Sequence, residues 1–307
     1  MSPETQRKPS SGVGTAGEPA ARGLPATGTP RGAWPGAGHA QRFGATERTD
    51  RWWLIPMLQA LGLVVLIGYA NVAAFLGAAH YHYVEQGRDY LSPFYSPYLN
   101  PSWRPAWLSP AILILIFPLA FRTTCYYYRK AYYRSFFADP IACAVGEGRE
   151  KGYCGELKFP FILQNLHRYT LYAALVILVI LWVDVVKAFR FLDADGAGYF
   201  GIAGGSLAIL ASTATLTLYT FSCHSLRHLV GGKLDCFSCA AAGGPRQKAW
   251  GLVSALNRHH MGWAWVSLFA VCFADFYVRM CSMGAISDPM LVTFRNLFSL
   301  PDVGGGP

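Results

Sequence analysis

The sequence predicts an all-α integral membrane protein, a bundle of five transmembrane helices. Of its 307 residues, 53% are hydrophobic and only 14% are charged, whereas a soluble domain carries about 25% charged residues. The apolar residues are concentrated in long blocks that basic loops separate, which is the pattern of membrane-spanning helices. These observations exclude a water-soluble enzyme and a small secreted domain held together by disulfides.

Five apolar stretches come close to the ~20 residues that an α-helix needs to cross a bilayer. In chain order they are residues 53–80, 107–127, 161–186, 202–223 and 262–283. The second is the weakest, because its strictly apolar part is short and Pro118 is expected to kink the helix. The string CYYYRKAYY after it is typical of a membrane interface, so we expect this helix to continue out of the membrane.

The distribution of Lys and Arg predicts the orientation of the bundle. The segments 1–51, 122–168 and 224–258 carry 7, 8 and 5 of these residues, 20 in all. The rest of the chain carries 6, with 2 in each of the loops 81–106 and 187–201 and the last two, Arg279 and Arg295, towards the C-terminus. Because basic residues accumulate on the cytoplasmic side, the N-terminus is predicted to be cytoplasmic and the C-terminus to lie outside. The same distribution explains the formal net charge of +9 without any nucleic acid partner.

The predicted membrane domain comprises residues 51–288, with a tail at each end. Residues 1–50 are rich in Gly, Pro, Ala, Thr and Arg, a composition that cannot bury enough apolar surface to order itself. We therefore predict a disordered cytoplasmic tail here. It lacks the hydrophobic region of a secretory signal, so the first helix is expected to direct insertion. Residues 289–307 end in GGGP and are predicted to form a C-terminal tail.

Side chains that can bind metals are concentrated at the predicted cytoplasmic ends of four helices. Thiols and imidazoles would converge there on one layer, and ionisable groups near membrane depth are functional by default. The outer side carries only His80 and His82, both expected on the first helix, and Cys281. The candidate metal ligands of the inner layer are Cys125, His167, Cys223, His224, His228 and His260.

The donor types of this layer favour two kinds of metal site. Thiolates together with imidazoles suit iron–sulfur clusters or zinc, whereas imidazoles alone suit haem. Two Cys and two His match the ligand set of a Rieske-type [2Fe–2S] cluster. The alternative is a haem b-binding membrane anchor of another respiratory dehydrogenase or reductase, with His167 and His228 as one conceivable pair of axial ligands. A transporter fits poorly, because no predicted helix carries a charge in its middle.

One Cys-x-x-Cys pair, Cys236 and Cys239, lies in a Gly-rich loop with no second pair nearby. Such spacing often marks zinc or redox chemistry, but an isolated pair is a weak signal, and we assign it no role. On the cytoplasmic side, cysteines that bind no metal are expected to be reduced thiols.

Six strings carry a resemblance to a known family. They are TDRWW at 49–53, LSPFYSPYL at 91–99, FRTTCYYYRKAYYR at 121–134, QNLHRY at 164–169, FSCHSLRH at 221–228 and NRHHMGWAW at 257–265. Together they resemble the membrane anchor of the actinobacterial type of succinate dehydrogenase, respiratory complex II. The resemblance covers residues 47–288 and therefore all five predicted helices.

This resemblance implies a subunit in the bacterial inner (plasma) membrane that assembles with a flavoprotein and an iron–sulfur subunit. A trimer of such heterotrimers is one assembly that it allows. It also implies electron delivery to a quinone, menaquinone, and a haem-free anchor with a Rieske-like [2Fe–2S] cluster near the cytoplasmic face. All six candidate ligands fall inside the matching strings, and which four of them bind the cluster stays open.

Quinone binding needs an apolar slot with a few hydrogen-bond donors for the carbonyl oxygens. The candidates at the cytoplasmic edge begin the first helix and are Arg51, Trp52 and Trp53. The tryptophans fit an interfacial aromatic anchor equally well. The candidates at the outer edge come from the first and last helices and are His80, Tyr81, His82, Asp275 and Arg279. The last two are four residues apart, so they can also form an ion pair.

Overall fold

The structure, a computed structural model, describes residues 42–75, 79–138, 141–147, 157, 159, 161–232 and 234–294. Most of both predicted tails therefore lies outside the described residues. The last part of the predicted N-terminal tail is described and is hydrogen-bonded to another segment. The Gly44 N–H donates to the Gly146 carbonyl at 3.0 Å, and the Gly146 N–H donates to the Ala45 carbonyl at 2.8 Å.

The chain is mostly helical, and its long helices follow the five predicted apolar stretches. The helices are α1 (Leu54–Phe75), α2 (Pro110–Thr124), α3 (Tyr126–Tyr132), α4 (His167–Ala188), α5 (Gly204–Phe221), α6 (His224–Arg227), α7 (Gly243–Asn257) and α8 (His260–Ser282). Helices α1, α4 and α8 are each long and apolar enough to cross a membrane. Two bent pairs, α2 with α3 and α5 with α6, meet this requirement only as pairs, so the described chain offers three to five spans.

The two bends fall on cysteines. Cys125 separates α2 from the helical segment Tyr126–Phe137, whose direction differs by 79°. Cys223 lies between α5 and the helical segment His224–Gly232, whose direction differs by 54°. Both residues have extended backbone angles, with ψ of 129° and 135°. The second helix was expected to continue out of the membrane; the chain does stay helical after Cys125, but in a different direction. Pro118 does lie inside α2.

Five short strands correct the all-α prediction. They are β1 (His82–Glu85), β2 (Arg88–Leu91), β3 (Arg190–Leu192), β4 (Gly198–Ala203) and β5 (Met290–Phe294). Strands β1 and β2 form an antiparallel hairpin, and β3, β4 and β5 form an antiparallel sheet in that order. A hydropathy pattern over about 20 residues detects membrane helices but not strands of three to six residues.

Two further expectations change because of these strands. Helix α1 ends at Phe75, so His80 and His82 do not lie on it, and His82 instead begins β1. Strand β5 lies within the predicted C-terminal tail and pairs with β4, from Met290 opposite Ala203 to Phe294 opposite Phe200.

The β1–β2 turn needs its glycine. Gln86 and Gly87 both have positive φ, 55° and 72°, as in the two-residue turns that suit antiparallel hairpins. A Cβ atom on Gly87 would lie 1.9 Å from the Leu192 carbonyl oxygen. The Leu192 N–H also donates to the Gly87 carbonyl at 2.8 Å, which joins the hairpin to β3.

The helix termini define two ends of the bundle. We call the end that carries Cys125, His167, Cys223 and His260 the cysteine end, and the end that carries the strands the sheet end. A buried cluster of side chains packs at each end. At the sheet end it includes Tyr90, Val185, Phe191, Ile209 and Val278. At the cysteine end it includes Phe121, Tyr128, Leu171, Tyr219 and Ala264 together with both cysteines.

Candidate metal centre

Four of the six predicted metal ligands come together at the cysteine end. His167 Nε2 lies 3.2 Å from Cys223 Sγ, and Cys125 Sγ lies 3.5 Å from His260 Nε2. The four side chains come from the starts of α4 and α8 and from the two bends. The arrangement therefore consists of two pairs, each with one thiol and one imidazole.

These pairs are shielded from solvent. Cys125, Cys223 and His260 are 1%, 0% and 2% exposed, and His167 is half-buried. The Phe121 ring stacks on His167 with centroids 4.7 Å apart, and the Tyr219 ring stacks on His260 at 5.1 Å. Packing thus fixes the planes of both imidazoles.

Hydroxyl groups orient the two imidazoles. Thr124 Oγ1 is hydrogen-bonded to His167 Nδ1 at 3.0 Å, and Ser222 Oγ is hydrogen-bonded to His260 Nδ1 at 2.6 Å. Each Nε2 atom is thereby turned towards a sulfur. Partners of this kind fix the ring orientation of metal-binding histidines. The pattern is crossed. Thr124, next to Cys125 in sequence, orients His167, which is paired with Cys223. Ser222, next to Cys223, orients His260, which is paired with Cys125.

Sequence reasoning missed Thr124 and Ser222. The available signal was a hydroxyl residue directly before each buried cysteine, in TTC at 123–125 and FSC at 221–223.

The spacing within each pair fits two ligands of one tetrahedral metal atom. With metal–sulfur bonds of about 2.3 Å and metal–nitrogen bonds of about 2.0–2.1 Å, such ligands lie about 3.6 Å apart. Among the described residues, no three His, Cys, Asp or Glu side chains are grouped closely enough to hold a single ion. The described donor set therefore consists of two separate thiol–imidazole pairs.

The remaining inner-layer histidines lie apart from this set. His224 is exposed at the start of α6. His228 Nδ1 accepts a hydrogen bond from the Arg168 guanidinium at 3.1 Å. His167 and His228, the pair suggested for a haem, are thus each directed at another group. The structure brings together Cys125, His167, Cys223 and His260 and leaves His224 and His228 outside.

The cytoplasmic-edge quinone candidates precede α1. Arg51 and Trp53 are exposed and Trp52 is half-buried. The Arg51 carbonyl accepts a hydrogen bond from the Leu54 N–H at 3.1 Å, so this segment forms the first turn before the helix. This placement is typical of an interfacial aromatic anchor.

At the sheet end, Asp275 and Arg279 form a buried ion pair, with Arg279 Nε 2.8 Å from Asp275 Oδ2. Tyr69 Oη donates to the same carboxylate at 2.5 Å, and the Ser92 hydroxyl donates to its other oxygen. Arg279 also donates to the Ala73 carbonyl at 2.9 Å. These bonds tie α1, α8 and the segment after β2 together.

Tyr81 and His82 line a cavity of about 300 Å³ that also includes Asp89, Asp184 and Lys187. The Tyr81 ring stacks on Tyr95, over which the Arg279 guanidinium lies. Of the quinone candidates predicted at the outer edge, Tyr81 is thus linked to Arg279 through Tyr95, whereas His82 lies with Tyr81 in this cavity. His82 Nε2 lies 2.6 Å from Asp89 Oδ1, and this hydrogen bond lowers the pKa of the Asp89 carboxyl.

Cys236 and Cys239 form a disulfide, which contradicts the expectation of reduced thiols in this loop. The intervening turn brings the two residues together, since the Cys239 N–H donates to Cys236 Sγ at 3.2 Å.

Comparisons with known proteins give two matches. A family profile described as actinobacterial succinate dehydrogenase subunit SdhC matches residues 54–284. Among solved structures, the chain is similar to one from the Mycobacterium smegmatis Sdh1 complex in the apo form, with a TM-score of 0.70 and 42% sequence identity. That match covers 82% of this chain and 96% of the other. No curated protein matches the chain.

Proposed function

The chain belongs to the actinobacterial succinate dehydrogenase SdhC family, and on that premise we propose that it relays electrons from the iron–sulfur subunit to menaquinone through a Rieske-like [2Fe–2S] cluster. As a membrane subunit of succinate dehydrogenase, it assembles with the other subunits of that complex. The proposal adds the cofactor, the electron acceptor and the residues that serve them.

The observation that carries the proposal is the pair of sulfur–nitrogen contacts, 3.2 and 3.5 Å long, at the cysteine end. Two thiolates and two imidazoles are the ligand set of Rieske clusters. Cys125 and Cys223 would bind through sulfur, and His167 and His260 through Nε2. When bound, such a cluster supplies one-electron transfer at a potential between about −150 and +300 mV.

The chain's own residues make this chemistry selective. Burial of the two thiols keeps water away from the site, and the Thr124 and Ser222 hydroxyls hold the imidazoles in one orientation. Phe121 stacks on the His167 ring and Tyr219 stacks on the His260 ring. Neutral imidazole ligands reduce the negative charge of the site relative to four thiolates, which favours acceptance of an electron.

The proposed topology has five crossings and a cytoplasmic N-terminus. Each bent pair then counts as one span, and the basic segments 1–51, 122–168 and 224–258 lie on the cytoplasmic side. The cysteine end faces the cytoplasm in this orientation. The flavoprotein and iron–sulfur subunits would dock there, where Lys130 is exposed and Arg134 half-buried.

The test is spectroscopy of the purified, reduced complex. We expect an EPR signal whose pulsed spectrum shows two histidine nitrogens coupled to the cluster, and no haem α-band in the optical spectrum. The nitrogen couplings separate this cluster from the thiolate-bound clusters of the iron–sulfur subunit. A haem α-band without nitrogen-coupled cluster signals would instead support the haem b anchor and refute the proposal.

A smaller change tests the orienting hydroxyls. Thr124→Val removes the partner of His167 Nδ1, and loss of such a partner weakens metal binding about 10–100-fold. We expect less iron per complex and faster iron loss to a chelator. Thr123→Val is the matched control, because the Thr123 hydroxyl bonds only to carbonyls of its own helix. Equal iron loss in both variants would show that the hydroxyl of Thr124 has no specific role.

A further inference from the structure

The Cys236–Cys239 disulfide lies outside the proposed electron relay, in the segment between α6 and α7. Its cysteines are only three positions apart, whereas a structural disulfide contributes more the longer the loop that it closes. The proposed topology places residues 224–258 in the cytoplasm, where disulfides are rare and those that occur are usually transient and redox-active. The spacing and the location of this pair therefore favour a reversible bond.

The two sulfur atoms of the disulfide have different surroundings. Cys239 is exposed, so an attacking thiolate can reach it, whereas Cys236 is half-buried. Cys236 Sγ accepts hydrogen bonds from the Cys239 N–H at 3.2 Å and from the Ser238 hydroxyl at 3.1 Å. Both donors stabilise negative charge on this sulfur, and a stabilised thiolate leaves faster in thiol–disulfide exchange. The geometry thus directs attack to Cys239 and makes Cys236 the leaving group.

The residue between the two cysteines packs against α7. The Phe237 ring lies against the Trp250 ring, with centroids 6.2 Å apart. A Cβ atom on Gly243, the first residue of α7, would lie 1.6 Å from the Phe237 carbonyl oxygen, so the loop and the start of this helix are in close contact. Because the disulfide constrains the backbone on both sides of Phe237, opening the bond frees the residue that makes both contacts.

This packing extends to the segment that follows Cys223. The Arg227 guanidinium lies over the Trp250 ring, 4.8 Å from its centroid, and donates a hydrogen bond to Ser254 Oγ at 2.8 Å. The Arg227 N–H donates to the Cys223 carbonyl at 3.0 Å. Two aromatic rings and one guanidinium therefore connect the disulfide loop to a residue of the candidate metal centre.

We propose that Cys236 and Cys239 form a thiol–disulfide exchange site, which a cytoplasmic dithiol protein reduces, and that reduction releases Phe237 from Trp250. The inference rests on the proposed topology, which places this loop in the cytoplasm. A thiolate of the dithiol protein attacks Cys239 Sγ, the bond between the two sulfurs breaks, and Cys236 leaves as a thiolate that takes up a proton. The second thiolate of the dithiol protein then attacks that protein's own sulfur in the mixed disulfide, which releases Cys239 to be protonated in turn. The dithiol protein leaves as a disulfide, and two electrons and two protons have passed to the chain.

The direct test is reduction of the intact, oxidised complex by a purified Cys-x-x-Cys dithiol protein such as thioredoxin, under native conditions. We expect the peptide that contains residues 236–239 to gain two alkyl groups from iodoacetamide after reduction and none before it. A thioredoxin that lacks its second cysteine should be trapped in a mixed disulfide with Cys239. A pair that stays oxidised at a thioredoxin concentration that fully reduces a small-molecule disulfide, or a bond trapped at Cys236, would overturn the proposal.

Ser238→Ala tests the leaving group, because it removes one of the two donors to Cys236 Sγ. We expect the rate of reduction by thioredoxin to fall about fivefold, the ratio typical of one lost hydrogen bond. Ser238→Thr is the matched control, since it keeps the hydroxyl and should keep the wild-type rate. Equal rates in the two variants would show that this hydroxyl does not assist the departure of Cys236.

Hydrogen exchange of the complex measures the release of Phe237. On reduction we expect faster exchange of the backbone amides of residues 224–232 and 243–250, with no change in α8. Phe237→Ala should show the fast exchange in both redox states, because the ring that packs on Trp250 is missing. Equal exchange in the oxidised and reduced wild-type complex would show that the disulfide does not control this packing.

Membrane vesicles separate a failure of this inference from a failure of the proposed function. Thioredoxin added to inverted vesicles, which expose the cytoplasmic face, should open the bond, and in right-side-out vesicles it should not. Reduction only in right-side-out vesicles would refute the cytoplasmic placement and the cytoplasmic reductant with it. Resistance in both orientations and in the purified complex would refute the exchange site alone. Absence of a nitrogen-coupled cluster signal would refute the electron relay and leave the exchange site standing.

Discussion

Replacing Cys125 or Cys223 by serine is expected to lower succinate-driven menaquinone reduction by at least about 100-fold. Mutation of a residue that orients a metal ligand lowers metal affinity or activity about 10–100-fold. Loss of a ligand itself is expected to lower them by at least about 100-fold. Each cysteine is buried against an imidazole, so the serine variant cannot recruit another thiol without moving a helix. The measurements are quinone reductase activity, together with iron and acid-labile sulfide per complex.

The control for these variants is Cys143→Ser, because Cys143 is an exposed, free cysteine that belongs to neither thiol–imidazole pair. It should keep full activity and iron content. All three variants should still reduce a soluble dye with succinate, because that reaction uses only the partner subunits. Wild-type quinone reduction in Cys125→Ser and Cys223→Ser would show that electrons reach the quinone without this centre.

The largest effect on stability is expected for Asp288→Ala at the sheet end. Asp288 accepts hydrogen bonds from Arg88 at 2.9 Å, from Tyr90 at 3.0 Å and from Tyr277 at 2.8 Å. The Gly205 N–H is a fourth donor at 2.8 Å. Since Arg88 is only 3% exposed, the variant leaves an uncompensated buried charge, which costs about 3–5 kcal/mol.

A thermal denaturation series of the purified complex measures this effect. Asp89→Ala is the matched control, because Asp89 also forms an ion pair, with His82, but both side chains are substantially exposed. Exposed pairs contribute about 0–1 kcal/mol, so its denaturation midpoint should stay close to that of the wild type. Equal midpoints for the two variants would mean that the Arg88–Asp288 pair does not hold the sheet end together.

Hydropathy located the long helices well, because burial in lipid requires long apolar runs whatever their neighbours. The last helix was expected at 262–283 and is His260–Ser282. The strands were missed, since they are short and depend on contacts such as Leu192 with Gly87. The buried ion pair of Arg88 and Asp288 joins residues 200 positions apart, and no local pattern marks it.

The sequence also located the layer of cysteines and histidines, but it could not identify which of them converge. That outcome depends on the bends at Cys125 and Cys223, where extended residues redirect the chain by 79° and 54°. Helical periodicity predicts which residues form the helices on either side of a bend, but it does not predict where the bend lies or how large it is.

The crossed pattern of hydroxyls and thiols has a consequence for assembly. The segment around Cys125 supplies one sulfur and also Thr124, which orients His167. The segment around Cys223 supplies the other sulfur and also Ser222, which orients His260. Neither thiol–imidazole pair is therefore fully oriented until the segments around Cys125 and Cys223 have packed against each other. Iron binding is therefore expected to be all-or-none. A subunit whose helices have not yet packed in the bilayer would have no oriented pair that could bind a metal ion.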